Sequence, residues 1–261
     1  MKRPLSAALL LLASCSAPSL AVLPRGGNFE PDGEVALSGS AGGVGVSASN
    51  SVEALGLVED EGVPGLRADL SWGGLCLTLA YQQSKHGGEG TLEAEISDDT
   101  ISLPAGTMVD SEFDMGLGEA LLTWDLLPGE TFELGLGLGL ALFDLDVAVT
   151  DELSGETVDP EAETFLAPLV AVRAGARLGP LDVRALLGGI DFSLDDDDAS
   201  LYDLDVFARL NLLGAPGGAH AALVLGYRLL DLEVDYDDDD SNEVEADLDF
   251  SGPYVGLSVG L

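Results

Sequence analysis

The sequence predicts an all-β protein: a closed antiparallel barrel that spans a membrane with about ten strands, eight being the smaller alternative. Three observations lead there. Large aliphatic residues alternate with small or polar ones, in segments of about ten residues, along most of the chain. Hydrophobic residues make up 46% of the 261, yet Asp and Glu outnumber Lys and Arg 47 to 10, for a net charge of -37. The connections between alternating segments are short and long in turn.

Such apolar content excludes a disordered chain, which needs low hydrophobicity as well as high charge. The two properties coexist if the apolar side chains face lipid while the acids occupy loops and lumen. The charge argues against a nucleic-acid partner, because phosphates would be repelled.

The N-terminus reads as an export signal over 1–21. Lys2 and Arg3 form a positive region and Leu5 to Ala13 a short apolar one. Ser19-Leu20-Ala21 offers small residues at the usual cleavage positions; Leu12-Ala13-Ser14-Cys15 competes as a lipobox that would lipidate Cys15. A flexible segment is expected over 22–40 and the barrel over 41–261. Past Ala21 no apolar run approaches the roughly 18 residues of a membrane helix, so any crossing falls to strands. Cys76 is the only other cysteine, which leaves no disulfide framework.

Period two is clearest where Phe132, Leu134, Leu136, Leu138, Leu140 and Leu142 alternate with Glu133, Gly135, Gly137, Gly139 and Ala141. In a strand the two sets point to opposite faces. The same pattern places strands near 243–261, 219–236, 201–213, 181–194, 163–178, 131–149, 109–126, 75–97 and 65–72, with a weaker one near 41–49. Region 84–108 reads as a hairpin loop or an extra strand pair. Pro168 is expected at a bulge or strand start. Short turns fall at Trp72-Gly73-Gly74, Leu127-Pro128-Gly129-Glu130, Leu178-Gly179-Pro180 and Gly214-Ala215-Pro216-Gly217. Longer acidic connections are expected at 150–162, 195–200 and 237–243, the arrangement of short periplasmic turns opposite long outer loops. Trp72, Trp124 and Phe132 form one aromatic group near the short turns; Phe165, Phe192, Tyr202, Tyr236 and Phe250 are expected as a second girdle at the other end.

These features resemble the broad class of small bacterial outer-membrane barrels of the OmpW and OmpA type, over about 40–261. The signal peptide, the alternating strands and the closing Phe250-Ser251-Gly252-Pro253-Tyr254-Val255-Gly256-Leu257 carry the resemblance. It is one of pattern, and the usual terminal aromatic is replaced by Leu261. The resemblance implies a Gram-negative outer membrane, with its lipid, lipopolysaccharide and barrel assembly machinery as partners.

Six arginines lie inside predicted strands: Arg67, Arg173, Arg177, Arg184, Arg209 and Arg228. All face away from the aliphatic surface, since each would cost about 2–4 kcal/mol toward lipid at the midplane. Asp69, Glu119, Glu133, Asp182 and Asp205 are available to pair with them. An internal ion-pair network is expected, with the glycines of 131–141 leaving room for arginine side chains; a selectivity lining for a small anionic solute is the competing use.

The runs Asp195, Asp196, Asp197, Asp198 and Asp237, Asp238, Asp239, Asp240 offer hard oxygen ligands, and divalent cations, Ca²⁺ first, are the candidate ions. No Asp-x-Asp-x-Asp-Gly loop with a closing Glu accompanies them, and a solvated acidic surface is the plainer reading. Asp144, Asp146, Asp151, Glu152, Glu156, Asp159, Glu161 and Glu163 line a third acidic stretch. Neither His86 nor His220 belongs to a nucleophile motif, and the topology puts them at opposite ends of the barrel. The expectation is therefore a non-enzymatic structural or interaction protein with no cofactor. A narrow channel for small solutes is the alternative; a lipid-modifying enzyme and a soluble exported β-sandwich or lipocalin-like barrel are the remaining readings.

Overall fold

The computed structural model describes residues 18–39, 49–57, 59–60, 62–97, 101–129, 131–158, 163–194, 197–214, 219–238 and 242–261. Numbering the longer strands only, they are β1 (Ser19–Gly27), β2 (Glu30–Gly39), β3 (Val63–Trp72), β4 (Leu75–Thr91), β5 (Met108–Pro128), β6 (Phe132–Asp151), β7 (Glu163–Leu178), β8 (Leu181–Leu194), β9 (Asp197–Gly214), β10 (His220–Asp238) and β11 (Asn242–Gly260). Each pairs antiparallel with its sequence neighbour from β3 to β11, and β1 pairs with both β3 and β11, so the ten strands close into a barrel. Leu20 and Leu261 seal the seam with reciprocal backbone hydrogen bonds of 3.1 and 2.9 Å. β2 continues the line of β1 past Asn28–Phe29 and pairs with the upper half of β11.

Nine predicted strands coincide with β3 to β11, and the first strand corrects the reading. Of residues 22–40, expected to be flexible, 22–27 belong to β1 and 30–39 to β2, and residue 40 lies outside those described. Pro24 and Gly26-Gly27 break the local alternation here, so the pairing with β3 and β11 supplies what the pattern lacks. Among the described residues the barrel thus begins at Ser19, and the boundary after Ala21 falls inside a strand in which Ser19, Leu20 and Ala21 pair with Ser71, Leu70 and Asp69. The tenth strand expected at 41–49 falls on residues of which 41–48 lie outside those described.

Turn chemistry sets the short end. Gly73 and Gly74 both take positive φ (57° and 88°), as the two-residue type I′ hairpin between β3 and β4 requires. Gly179 at φ 65° followed by Pro180 joins β7 to β8. At the outer end two connections are shorter than expected. β8 and β9 pair up to Leu194–Asp197, and β10 and β11 up to Asp238–Asn242, so Asp197 and Asp198 belong to β9 and Asp237 and Asp238 to β10. The long connections run from β2 to β3, from β4 to β5 and from β6 to β7; the second holds the extra strand pair Ile96–Ser97 with Ser102–Leu103.

The wall changes character along its height. Lower down, Leu136, Leu138, Leu140 and Leu142 face outward, as do Leu223, Leu225, Val255 and Leu257; Leu138 is 69% exposed. From Phe132 to Leu142 this band is about 25 Å tall at a rise near 3.3 Å and a tilt near 40°. Trp72, Trp124 and Phe132 rim it at the turn end; Tyr81, Tyr202 and Tyr227 rim it at the outer end. Phe250, expected in that outer girdle, is buried instead, and the side chains of Phe165, Phe192 and Tyr236 lie outside those described.

Above the band the faces exchange polarity. Asp114, Asp144, Asp146, Asp231 and Asp249 now point outward, while Phe113, Met115, Phe143, Leu201, Leu230 and Phe250 point in. The inner residues join Val52, Leu55, Leu57, Leu92, Ile96 and Leu103 of the long connections in one apolar core. Asn50, fully buried, accepts the backbone N–H groups of Glu93 and Ala94 at 2.8 and 2.9 Å, tying the first two connections together across the mouth.

One seam is incomplete. The β7–β8 ladder stops at Val170–Gly189, although β7 continues upward to Glu163 and β8 to Leu194. Pro168, expected at a bulge or strand start, sits inside β7 opposite Leu140 with no shift of register, two residues above that last rung.

Candidate functional site

The lower lumen is a buried ion-pair network. Arg67 Nε lies 3.1 Å from Asp69 Oδ1, while Arg67 Nη1 and Arg25 Nη1 meet Asp205 Oδ2 at 3.1 and 2.8 Å. Thr78 donates to Asp69 at 2.8 Å and the Tyr254 hydroxyl to Asp205 at 2.5 Å. Arg25 stacks over Tyr254 and Arg67 over Phe207, each 4.9 Å from the ring centre. Arg209 completes this group, 3.9 Å from Asp69.

Arg228 organises the centre. It donates to Asp203 at 2.7 and 2.9 Å, to Glu119 at 2.6 Å and to Gln82 at 2.8 Å. A third group joins Arg173 to Asp125, to Glu133 at 3.3 Å and to Thr123 at 3.2 Å, and Arg184 to Glu133 and Asp182 at 3.5 and 3.1 Å.

All eleven residues singled out from the sequence for the lumen point inward. Arg67, Asp69, Glu119, Glu133, Arg173, Asp182, Arg184, Asp205, Arg209 and Arg228 enter the three groups above, and Arg177 is half-buried on the same face of β7 near the short-turn end. Arg25, Asp125, Asp203, Gln82, Thr78 and Tyr254 were missed. Asp203 shares the face of Asp205 two residues on and was legible by parity; Arg25 was not, because β1 lay outside the expected barrel. Among the described residues, with Arg25 the lumen holds seven arginines, and with Asp125 and Asp203 seven carboxylates, so it is formally neutral. A chain of net charge -37 therefore puts its acidic excess outside.

The glycines of β6 have a different use from the one expected. A Cβ at Gly139 would lie 2.2 Å from a Leu121 methyl, and one at Gly137 1.9 Å from the Leu122 carbonyl oxygen. They admit the neighbouring strand β5 and its Leu121, where arginine side chains were expected. Tyr254 lies over Gly226 in the same way, 2.2 Å from the position of a Cβ.

The two histidines sit at opposite ends. His86 is buried in the outer core, 2.5 Å from the Ser84 hydroxyl and 6.3 and 6.1 Å from the Phe113 and Phe250 rings. Ser84 is itself buried. His220 covers Gly260 beside the short-turn end. Among the described residues no three His, Cys, Asp or Glu are grouped to hold a metal. Of the aspartate runs, 195, 196, 239 and 240 lie outside the described residues, as do the side chains of Asp197, Asp198, Asp237 and Asp238.

On the outer surface, cross-strand pairing sets carboxylates side by side: Asp231, Asp249 and Asp32 on one rung, Glu233, Asp247 and Glu34 on the next. Partial burial, with Asp231, Asp247 and Asp32 around it, pushes Asp249 above the usual carboxylate range. Asp151, at the top of β6, moves the other way: its carboxylate accepts the Leu153 N–H and the Ser154 hydroxyl at 2.8 and 2.7 Å, which hold its pKa down.

A closed wall with an aliphatic exterior and a charged interior suits a bilayer and no aqueous setting. Among solved structures, the outer-membrane protease OmpT from Escherichia coli is similar at a TM-score of 0.53 and 9% identity, over 95% of this chain and 98% of that one. The fold is that of an outer-membrane β-barrel. Looser similarity reaches the attachment invasion locus protein Ail of Yersinia pestis (TM-score 0.30, 8% identity, 94% and 98% covered) and the Pseudomonas putida toluene transporter TodX (0.32, 9%, 96% and 90%). No family model matches the chain, and no curated protein does.

Proposed function

We propose that this outer-membrane barrel is a closed, non-enzymatic scaffold that presents acidic strands and loops to the cell's surroundings. The observation that carries the reading is the burial of the lumen arginines. Arg228 is 1% exposed, Arg67 2% and Arg209 3%. An arginine lining a water-filled bore keeps its guanidinium hydrated; here each guanidinium is enclosed by carboxylates, rings and neighbouring strands. Barrels of this size are filled by their own side chains, and the apolar core above closes the outer mouth a second time. The surface that remains is carboxylate-rich, which suits contact with cations and basic surfaces.

Purified protein reconstituted into planar bilayers tests the reading. The expected record is flat, without conductance steps. Steady ohmic steps would overturn it in favour of a narrow channel for small solutes.

A further inference from the structure

The incomplete seam between β7 and β8 has a chemical cause and a chemical consequence. Beyond Val170–Gly189 the next rung on the same parity would join Pro168 to Asp191. Proline has no N–H to give that rung, so the ladder ends where the donor is missing. Above it, among the described residues, Glu163–Leu169 of β7 pairs only with β6, and Ile190–Leu194 of β8 only with β9. Two strand edges therefore share no ladder, among the described residues, at the upper rim of the aliphatic band, where Leu166 and Leu187 still face outward.

Open edges carry backbone N–H and C=O groups that need partners, most of all next to lipid. An acyl chain offers none. A polypeptide in extended conformation offers a full row, by strand addition. The two edges differ: Pro168 interrupts that of β7, whereas that of β8 holds no proline between Leu181 and Leu194. The surroundings select charge. Asp191 is exposed on β8, and the sequence beside both edges is acidic, with Glu161 and Glu163 in one segment and Asp195 to Asp198 in the other. A second copy of this chain, at net charge -37, would be repelled.

We propose that the split is a docking cleft for an extended cationic segment of a partner protein, which adds as a strand to the edge of β8 over Ile190–Leu194. The proposal deepens the scaffold reading by naming where and how a partner is held.

Backbone amide exchange of the detergent-solubilised full chain, followed peptide by peptide, tests it. The probe is a short synthetic peptide of alternating lysine and valine, with a glutamate–valine peptide beside it. Exchange at Asp191 and Ser193, the edge positions that share the parity of the missing rung, should be fast in the free protein and slow by about tenfold or more with the lysine peptide. The glutamate peptide should leave it unchanged. Pro168→Val restores the missing N–H and should zip the seam, making these amides slow without peptide and abolishing the peptide's effect. Asp191→Lys should keep the cleft open yet weaken the lysine peptide's protection, and it serves if the Pro168 variant fails to show a folded barrel by heat-shifted gel mobility. Slow exchange in the free wild-type chain, or no protection by the lysine peptide, would overturn the proposal. Conductance steps would overturn the closed-scaffold reading while leaving the exchange result intact, so the two failures are distinguishable.

Discussion

The lower lumen and the outer core are built from the same strands by opposite rules. In the lower half, lipid takes the aliphatic face and the interior is left to Arg67, Asp69, Asp203, Asp205 and Arg228. In the outer half water surrounds the wall, so the acids turn outward and Phe113, Phe143 and Phe250 turn in. The lower interior owes its order to hydrogen-bond geometry, since a buried charge is tolerated only when it is paired. The outer core gains from the hydrophobic effect, which does nothing for a side chain moved from lipid to an apolar interior but stabilises one taken out of water. Polarity inside a barrel thus follows the solvent outside it.

The largest effect is expected from Arg228→Ala. It leaves Asp203, Glu119 and Gln82 without their shared donor, and breaking a buried pair costs about 3–5 kcal/mol. Unfolding in urea from detergent micelles, followed by tryptophan fluorescence, should show a matching drop in the midpoint. Phe113→Ala should cost about 3 kcal/mol through the cavity left against His86 and Phe250. That loss should loosen the outer half while the heat-shifted gel mobility of the barrel persists. If both variants abolished the heat shift together, the two halves would be one cooperative unit and the contrast would break.

Gly226→Ala is smaller, about 1–3 kcal/mol, because the new methyl must displace the Tyr254 ring and with it the hydrogen bond to Asp205. The Tyr254→Phe variant keeps the ring over Gly226 and removes only the hydroxyl, for about 1 kcal/mol. Comparing the two separates ring packing from hydrogen bonding in the same urea assay.

The smallest effects concern the outer surface and differ in sign. Asp249 has a folded pKa above its unfolded one, so its stabilising contribution is complete below the unfolded value and is lost as pH rises through the folded value. Asp151 is depressed, so its contribution is present above the unfolded value and lost as pH falls through the folded one. Lowering the pH to about 3, below the ordinary Asp value, should slow proteolysis of the β10–β11 hairpin and speed it in the turn after β6. Added salt at neutral pH should protect the hairpin as well, by screening its carboxylate rungs. Equal responses in both regions would remove the distinction.

Much of this was legible beforehand for a local reason. Leu134 to Leu142 alternate with glycines over one strand, and strand alternation needs no partner to be read. The positions of Gly73-Gly74 and Gly179-Pro180 announced their turns in the same way. Inward placement of the arginines followed from parity and the cost of charge in lipid. β1 was not legible, because Pro24 and Gly26-Gly27 blur its alternation and only its two neighbours make it a strand. The buried position of Phe250 was hidden because the solvent outside the wall changes partway along β11.

The sequence by itself thus determined the barrel class, the succession of strands from β3 to β11, the faces of most of them and the sign of the lumen residues. These depend on residue chemistry at a period of two, which is a property of short segments. Only the tertiary structure decided which charges meet, as Arg25 finds Asp205 180 positions away. It also decided that the connections around Asn50 and Leu92 pack onto the outer core, and that the described ladder between β7 and β8 ends beside Pro168. Those outcomes depend on closure of the ring, which brings distant segments together at distances no local pattern encodes.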